Sequence, residues 1–203
     1  MLFRSILGGR EVRLDEKAFD SNGDQARHTQ QYVFLPQASL IYKPIENISL
    51  YTSYSKGLSL GGTAPWFASN PNETLAPTVS RQLEAGVKYD WRRISFAAAV
   101  FQTRQAYQYA KPDGAGNFTY VQQGEQKNTG LELSANGWAT DRLQIATSVA
   151  AIRARVSGSG TPDYEGHQAI NVPKLRASVY ADYALPWVNG LEIGRASCRE
   201  RVS

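Results

Sequence analysis

Apolar and polar side chains alternate along several stretches of the chain, most clearly over residues 175–185. There the odd positions are apolar, from Leu175 to Leu185, and the even positions include Arg176 and Asp182. Successive side chains of a β-strand point to opposite faces, so the pattern predicts a strand with one apolar and one wet face. Alternation and turn signals together predict nine strands. They lie at about residues 2–13, 32–43, 47–57, 79–90, 93–107, 120–138, 142–155, 173–185 and from 190 onward.

The predicted connections fall into two classes that strictly alternate. Short turns lie at Lys43–Asn47, Asp90–Arg93, Ala139–Arg142 and Leu185–Gly190. Long polar loops lie at about 14–31, 58–78, 108–119 and 156–172. Outer-membrane β-barrels have short turns on the periplasmic side and long loops outside, so the pattern also indicates an orientation.

Aromatic residues mark the short turns, which is typical of a membrane boundary. These interface candidates are Tyr42, Trp91, Trp138 and Trp187. Their spacing near 50 residues also suits a propeller blade, but each period here holds two long strands rather than four short ones. A soluble antiparallel sheet with one wet face would give the same alternation.

Charged residues of the predicted strands also separate by odd and even position. Glu84, Lys88 and Glu132 take the parity opposite the apolar positions, where they would line a wet lumen. Lys56 and Arg81 share the apolar parity, but they lie toward the loop ends, where a charge costs little and can meet anionic headgroups. The sequence therefore predicts an all-β antiparallel meander of about nine strands, facing outer-membrane lipid on one side.

Composition excludes two function classes. The 203 residues hold 22 basic and 18 acidic side chains, with no basic cluster interleaved with aromatics, so no nucleic-acid partner is expected. No run reaches the roughly 18 apolar residues of a membrane-spanning helix. The chain opens directly into a strand pattern without a signal peptide, which indicates that it begins in mid-protein.

Residues 193–203 require a separate interpretation. The segment Ile193–Val202, IGRASCRERV, matches the translation of a common sequencing adapter, and it carries Cys198, the single cysteine. We therefore expect a non-native tail, without which the formal charge falls from +4 to +2. The alternative is a genuine basic C-terminus.

One motif resembles that of a hydrolase. Gly57–Gly61 spells the G-x-S-x-G nucleophile elbow around Ser59, and Asp163 and His167 follow in hydrolase order. An elbow needs a buried apolar strand before it and a helix after it, whereas the flanking residues are half polar and then proline-containing. Catalysis by Ser59 is therefore disfavoured, and no catalytic residue is predicted.

Metal-binding patterns are incomplete. Asp20, Asn22 and Asp24 take the first, third and fifth positions of an EF-hand-like loop, but Gln25 and Gln31 stand where Gly and Glu are needed. The two histidines lie about 140 positions apart without cysteines nearby, so no zinc motif is present. No metal site and no covalently bound cofactor are predicted.

Aromatic side chains in the long loops could stack on a flat ligand or hydrogen-bond to it. The alternative is that they pack loop on loop. The ligand-facing candidates are Trp66, Phe67, Tyr107, Tyr109, Phe118, Tyr120, Tyr164 and His167.

Four segments in register resemble TonB-dependent siderophore receptors. Residues 32–60, YVFLPQASLIYKPIENISLYTSYSKGLSL, are similar to a strand ending in Y-K-P that turns into an L-Y-x-S-Y-S-x-G strand. The segments that follow in the same order are LAPTVSRQLEAGVKYDW, KNTGLELSANGWATDRLQIATSV and NVPKLRASVYADYALPWVNGLEIG. The resemblance extends to about Glu192.

The resemblance implies a 22-stranded barrel in the bacterial outer membrane, with an N-terminal plug and loops that capture a ferric siderophore as the transported ligand. TonB, ExbB and ExbD would supply energy through the N-terminal part. Residues 1–192 would then be a partial barrel without its plug. A passive porin or a surface-binding barrel is the alternative, and a secreted serine hydrolase using Ser59 is a weaker one.

About nine strands cannot close around a lumen, so two strand edges would present unpaired backbone groups, each costing several kcal/mol in lipid. We therefore expect the isolated polypeptide to aggregate. A soluble, monomeric, cooperatively melting product from cytoplasmic expression would contradict the barrel interpretation.

Overall fold

The computed structural model describes residues 1–19, 23–114, 116–170, 172–185 and 192–201. Nine antiparallel strands form one sheet in chain order, each pairing with the next, so the prediction of an all-β meander is confirmed. The strands are β1 (Leu2–Phe19), β2 (Gln25–Ile45), β3 (Ile48–Ser59), β4 (Thr78–Trp91), β5 (Ile94–Pro112), β6 (Phe118–Trp138), β7 (Leu143–Ser157), β8 (Leu175–Ala184) and β9 (Glu192–Arg201). The described residues hold no helix long and apolar enough to span a bilayer.

The strand register aligns apolar residues with apolar residues across neighbouring strands. Leu50 pairs with Val87, and through Ala98 this row continues to Leu133 and Val149. We call the face that carries this row the apolar face. The adjacent row holds Tyr51, Gly86, Ala99, Glu132 and Ala150 on the other side, which we call the polar face.

No second layer covers the apolar face in the described part of the chain. Leu83 is 54% exposed and Leu133 is 48% exposed, although both lie in the middle of the sheet. A soluble sheet would bury such a face, because contiguous exposed apolar patches of this extent mark a contact with lipid or protein. One continuous sheet also rules out the propeller interpretation.

Two glycines on the polar face let aromatic rings lie flat across the neighbouring strand. A Cβ at Gly130 would stand 2.5 Å from the Phe101 ring, and one at Gly86 would stand 2.7 Å from the Tyr51 ring. Residues with side chains at these positions would displace the rings.

Two of the four predicted long loops are wrong in extent. Residues 14–31 form mainly the paired ends of β1 and β2, where Asp15 accepts a hydrogen bond from His28 Nε2 at 2.7 Å. Residues 108–119 likewise form the ends of β5 and β6, where Gln108 Nε2 donates to Gln122 Oε1 at 3.0 Å. Neither face of these hairpin ends has to be uniformly apolar, because they contact water or other loops rather than lipid. The strands therefore pair there without the apolar alternation that predicts them.

The remaining loops and turns follow the prediction. Long loops cover residues 60–77 and 158–174, with residue 171 outside the described part. Short turns join β2 to β3, β4 to β5 and β6 to β7. The fourth predicted turn lies largely at residues 186–190, outside the described residues.

Candidate ligand-binding site

The two long loops pack against opposite faces of the extended β5–β6 hairpin. Gln108 Oε1 accepts a hydrogen bond from Gly62 N of loop 60–77 at 3.1 Å. Tyr107 and Tyr109, which alternate with Gln108 along β5, contact loop 158–174 instead. Because alternate side chains of a strand point to opposite faces, the hairpin lies between the two loops.

Three tyrosines anchor loop 158–174. Tyr107 and Tyr109 are each 4% exposed, and their ring centroids lie 5.1 Å apart. Tyr164 meets Tyr109 edge to face at 4.8 Å. We call these three residues the tyrosine cluster, and it packs on Ala154 and Val156 of β7. Burial raises the pKa of Tyr107.

Hydrogen bonds complete the anchoring of this loop. The Tyr109 hydroxyl donates to Ser159 O at 2.7 Å, and the Tyr164 hydroxyl donates to Ala110 O at 3.3 Å. The Glu165 carboxylate accepts from Gly158 N at 2.9 Å and from Ser159 N and Oγ, each at 3.0 Å. Because these donors favour the charged form, the pKa of Glu165 is lowered.

The second group holds two exposed rings and the half-buried ring of Phe118. Trp66 is 80% exposed and Phe67 is 57% exposed. The Phe67 ring lies edge to face with Trp66 at 5.4 Å and with Phe118 at 5.3 Å. We call Trp66, Phe67 and Phe118 the aromatic trio. Exposed, pre-positioned rings of this kind can stack on a flat ligand with little rearrangement.

Asn70 holds the loop that carries the trio. Its side-chain amide donates to Tyr120 O at 2.9 Å, and its side-chain oxygen accepts from Tyr120 N at the same distance. Ser69 N also donates to Phe118 O at 2.8 Å. The Asn70 side chain therefore hydrogen-bonds to the β6 backbone where a neighbouring strand would otherwise pair.

The structure divides the eight predicted ligand-facing residues. The tyrosine cluster is assembled and anchors a loop, whereas the aromatic trio is assembled and exposes Trp66 and Phe67. Tyr120 is half-buried, and its backbone is hydrogen-bonded to the Asn70 side chain. His167 joins neither group and lines a separate groove with Arg153 and Arg155. Contact of any of the eight with a ligand stays a prediction.

Sequence reasoning did not single out Asn70, Ser159 or Glu165. The Asn70–Pro71 dipeptide is a turn signal that could have marked the first. No sequence motif marks Ser159 or Glu165. Ser159 accepts from Tyr109, 50 residues away, and Glu165 accepts from Gly158 and Ser159 within the loop.

The interface candidates Tyr42, Trp91 and Trp138 lie near short turns, and guanidinium groups lie over two of these rings; their place at a membrane boundary stays a prediction. The Arg92 guanidinium lies 5.2 Å from the Trp91 ring centroid, and that of Arg93 lies 5.3 Å from the Trp138 ring centroid. Tyr42 and Trp91 belong to the apolar face. Trp138 pairs with Gln144 and shares the parity of the polar face. Trp187 lies outside the described residues.

The other candidate motifs do not form their expected geometry. Ser59 ends β3 and leads into loop 60–77 rather than a helix, so the nucleophile elbow is absent from residues 48–77. His167 Nδ1 contacts the backbone oxygen of Asp163 at 2.9 Å, not its carboxylate. Asp20 and Asn22 of the EF-hand-like pattern lie outside the described residues, and Gln25 to Gln31 belong to β2.

Comparison with known families matches residues 3–199 to the model described as TonB dependent receptor-like, beta-barrel. The chain belongs to the TonB-dependent receptor family. The family resemblance drawn from the sequence is therefore confirmed, and the protein is an outer-membrane β-barrel segment.

Relatives within the TonB-dependent receptors are named for siderophores. The chain is 30% identical over 165 residues to the probable TonB-dependent siderophore receptor PiuA of Acinetobacter baumannii, covering 72% of this chain and 22% of that protein. It is 29% identical over 198 residues to the ferrioxamine B receptor of Salmonella typhimurium, covering 95% of this chain and 27% of that protein. The chain thus spans about a quarter of the length of these relatives.

A solved structure shows the same fold. The crystal structure of the siderophore receptor PiuA from Acinetobacter baumannii superposes with a TM-score of 0.74 at 24% identity. The match covers 98% of this chain and 31% of that one.

Proposed function

We propose that this chain is part of a longer receptor that actively imports a ferric siderophore across the outer membrane. The segment supplies barrel wall and extracellular loops, while a plug and the contact with TonB, ExbB and ExbD belong to the rest of the receptor. The observation that carries the proposal is the single apolar face kept in register over the sheet of a TonB-dependent receptor. A 22-stranded barrel would provide a strand that pairs with the outer edge of β1 and a natural strand beside β8 in the place of β9.

The loops support the ligand-binding half of the proposal. Within it, the aromatic trio contacts the chelate, because Trp66 and Phe67 are open and already positioned. The tyrosine cluster holds loop 158–174 in place and contributes to binding only indirectly. Relatives named for ferrioxamine B and ferrichrome indicate ferric hydroxamates as the first ligands to test.

Uptake of radioactive iron tests the proposal. The complete receptor is expressed in iron-limited cells that lack their own receptors, and accumulation of iron-55 from ferric ferrioxamine B, ferrichrome and catecholate chelates is measured. We expect accumulation of at least one chelate, abolished by a protonophore or by deletion of TonB. Accumulation that persists without TonB would instead support the passive porin.

Within the same proposal, residues 193–203 are a non-native tail. Arg199 pairs with Ala177 and Arg201 pairs with Leu175, so both positions fall in rows of the apolar face. The row through Ala177 continues to Val149 and Leu133. An arginine on the lipid face of a barrel costs about 2–4 kcal/mol at the bilayer midplane and less toward the interfaces, so a natural wall strand would avoid it. Sequencing the intact gene tests this, because a natural strand should show apolar residues at these positions.

A further inference from the structure

Loop 60–77 folds into a small hairpin of its own. Thr63 and Thr74 form an antiparallel bridge. Beside this bridge, Leu75 N donates a hydrogen bond to Gly62 O at 2.8 Å. Trp66 lies between the two paired segments, together with the neighbouring phenylalanine of the aromatic trio. The two exposed rings therefore belong to a structured segment, and the place of this segment on the sheet determines where the rings stand.

Gly62, at the base of this small hairpin, lies against side chains of β5 and β6. A Cβ at Gly62 would stand 2.8 Å from Gln108 Oε1 and 3.0 Å from the Tyr120 hydroxyl. Non-bonded heavy atoms prefer separations of about 3.5 Å or more. A side chain at position 62 would therefore displace loop 60–77 from β5, so the close approach requires glycine.

The Gln108 side chain bridges Gly62 and β6. Its Oε1 accepts a hydrogen bond from Gly62 N at 3.1 Å, and its Nε2 donates to Gln122 Oε1 at 3.0 Å. A backbone N–H can only donate, so the oxygen of the Gln108 amide must face Gly62 and its NH₂ must face Gln122. Because Gln108 and Gln122 are cross-strand partners, the bridge attaches loop 60–77 to the β5–β6 hairpin itself.

Gln108 follows a β-bulge, since the register between β5 and β6 shifts between Ala106 and Gln108. Bulges redirect side chains and are frequent next to functional sites. Tyr107 and Tyr109, on either side of Gln108, contact loop 158–174. Of these three consecutive residues, Gln108 is therefore the one that contacts loop 60–77.

Asn70 attaches loop 60–77 at a second place, because its side chain bonds both backbone groups of Tyr120. In the chain, Trp66 and Phe67 lie between this attachment and that of Gly62. A segment held on both sides of its rings has little freedom to reorient them. Loss of either attachment should therefore allow the rings more positions.

We propose that Gly62 and Gln108 are positioning residues for the chelate. They fix loop 60–77 on the β5–β6 hairpin, so that Trp66 and Phe67 are in place before the chelate binds. Such preorganisation raises affinity, because the rings need not be ordered at the moment of binding. The inference rests on the proposed contact between the aromatic trio and a ferric chelate, but the attachment of the loop can be measured without any chelate.

Three variants of the full-length receptor test this role. Gln108→Met keeps the length of the side chain and removes both hydrogen bonds. Gln108→Glu keeps the acceptor for Gly62 N, and Gln122 can restore the second hydrogen bond by turning its NH₂ toward the carboxylate. Gln123→Met is the matched control, because Gln123 belongs to the same hairpin but lies beside Gly160 of loop 158–174.

Hydrogen exchange of the chelate-free receptor measures the attachment. In Gln108→Met the protection factors of residues 62–75 should fall about fivefold, which is the usual net contribution of one hydrogen bond, whereas those of residues 158–169 should not change. Gln108→Glu should restore the protection, and Gln123→Met should match the parent. Unchanged protection of residues 62–75 in Gln108→Met would overturn the proposal, as would an equal fall in Gln108→Glu.

Equilibrium binding of ferric ferrioxamine B and ferrichrome measures the consequence. Gln108→Met should weaken binding of the transported chelate about fivefold in the parent background but not in a Trp66→Ala background, because Gln108 acts through the trio. Gly62→Ala should weaken binding about tenfold, since its added methyl group displaces the loop. An equal loss from Gln108→Met in both backgrounds would contradict the positioning role.

The two measurements separate this inference from the proposed function. A parent receptor that binds neither ferric hydroxamates nor ferric catecholates would refute the proposed chelate uptake, and the exchange of residues 62–75 would still decide whether Gln108 positions the loop. Normal chelate binding that ignores both Gln108→Met and Gly62→Ala would refute only the positioning role.

Discussion

The tyrosine cluster and the aromatic trio lie on opposite sides of the same hairpin, yet their environments differ. Tyr107 and Tyr109 are 4% exposed and packed on β7, whereas Trp66 is 80% exposed. Rings of the first kind stabilise a loop by leaving water and by hydrogen bonding. Rings of the second kind remain available to a ligand. Aromatic residues in receptor loops therefore cannot be treated as one functional class.

The largest effect that distinguishes the tyrosine cluster from the aromatic trio is expected from Tyr107→Ala. Removing a buried aromatic ring costs about 3–5 kcal/mol, so the free energy of opening of loop 158–174 should fall by about that amount. Hydrogen-exchange protection factors of residues 158–169 measure it in the full-length receptor. Trp66→Ala is the control and should leave these factors unchanged. Unaltered protection in Tyr107→Ala would show that the cluster does not anchor the loop.

A smaller effect is expected from Trp66→Ala, and it concerns chelate binding rather than the stability of loop 158–174. Loss of one stacking ring should weaken chelate binding about tenfold, which corresponds to about 1.4 kcal/mol, and should leave loop protection intact. Equilibrium binding of the ferric chelate to the purified receptor measures the change. Leu60→Ala is a matched control, because Leu60 is an exposed apolar residue at the start of the same loop. Equal affinities of parent and Trp66→Ala would place the chelate away from the trio.

The smallest effect concerns the Glu165 carboxylate, whose pKa is lowered by hydrogen bonds from Gly158 N and then from Ser159. A lowered folded-state pKa means that the stabilisation is present above the ordinary value of 4.5 and is lost as the pH falls through the lowered value. Protection factors of residues 158–169 should hold from pH 8 to about pH 5 and decline in more acidic solution.

Glu165→Gln should remove this decline and lower the protection at neutral pH, while Asp163→Asn should retain the decline. The same acid profile in parent and Glu165→Gln would mean that another group controls the loop.

Sequence periodicity predicted the fold where the two faces of the sheet meet different media. Over β3 to β8 lipid on one face imposes apolar residues at alternate positions, so strands and faces follow from parity. At residues 14–31 and 108–119 the strands contact water or other loops rather than lipid, and they carry polar residues such as Asp15 and Gln108. The polar composition of these two segments predicted loops, whereas the structure has paired strands.

The candidate site could be predicted only by residue type. Tyr107 and Tyr164 lie far apart in the chain, and no local pattern shows that their rings meet at 6.2 Å. The basic residues near the loop ends of β3 to β7 show the same limit. Parity placed Lys56 and Arg81 on the apolar side near the loops, but only the strand register aligns them with Arg104, Lys127 and Arg155.

The central claim is that alternate residues of each wall strand face hydrocarbon and water. Single nitroxide labels at positions 131 to 136 of β6 test it most directly, in a full-length receptor reconstituted in bilayers with its other cysteines replaced by serine. Collision rates with oxygen, which concentrates in hydrocarbon, and with a water-soluble nickel chelate are then compared. We predict oxygen maxima at Leu131, Leu133 and Ala135 and nickel maxima at Glu132, Ser134 and Asn136. A profile without a two-residue period, or with the opposite phase, would contradict the claim.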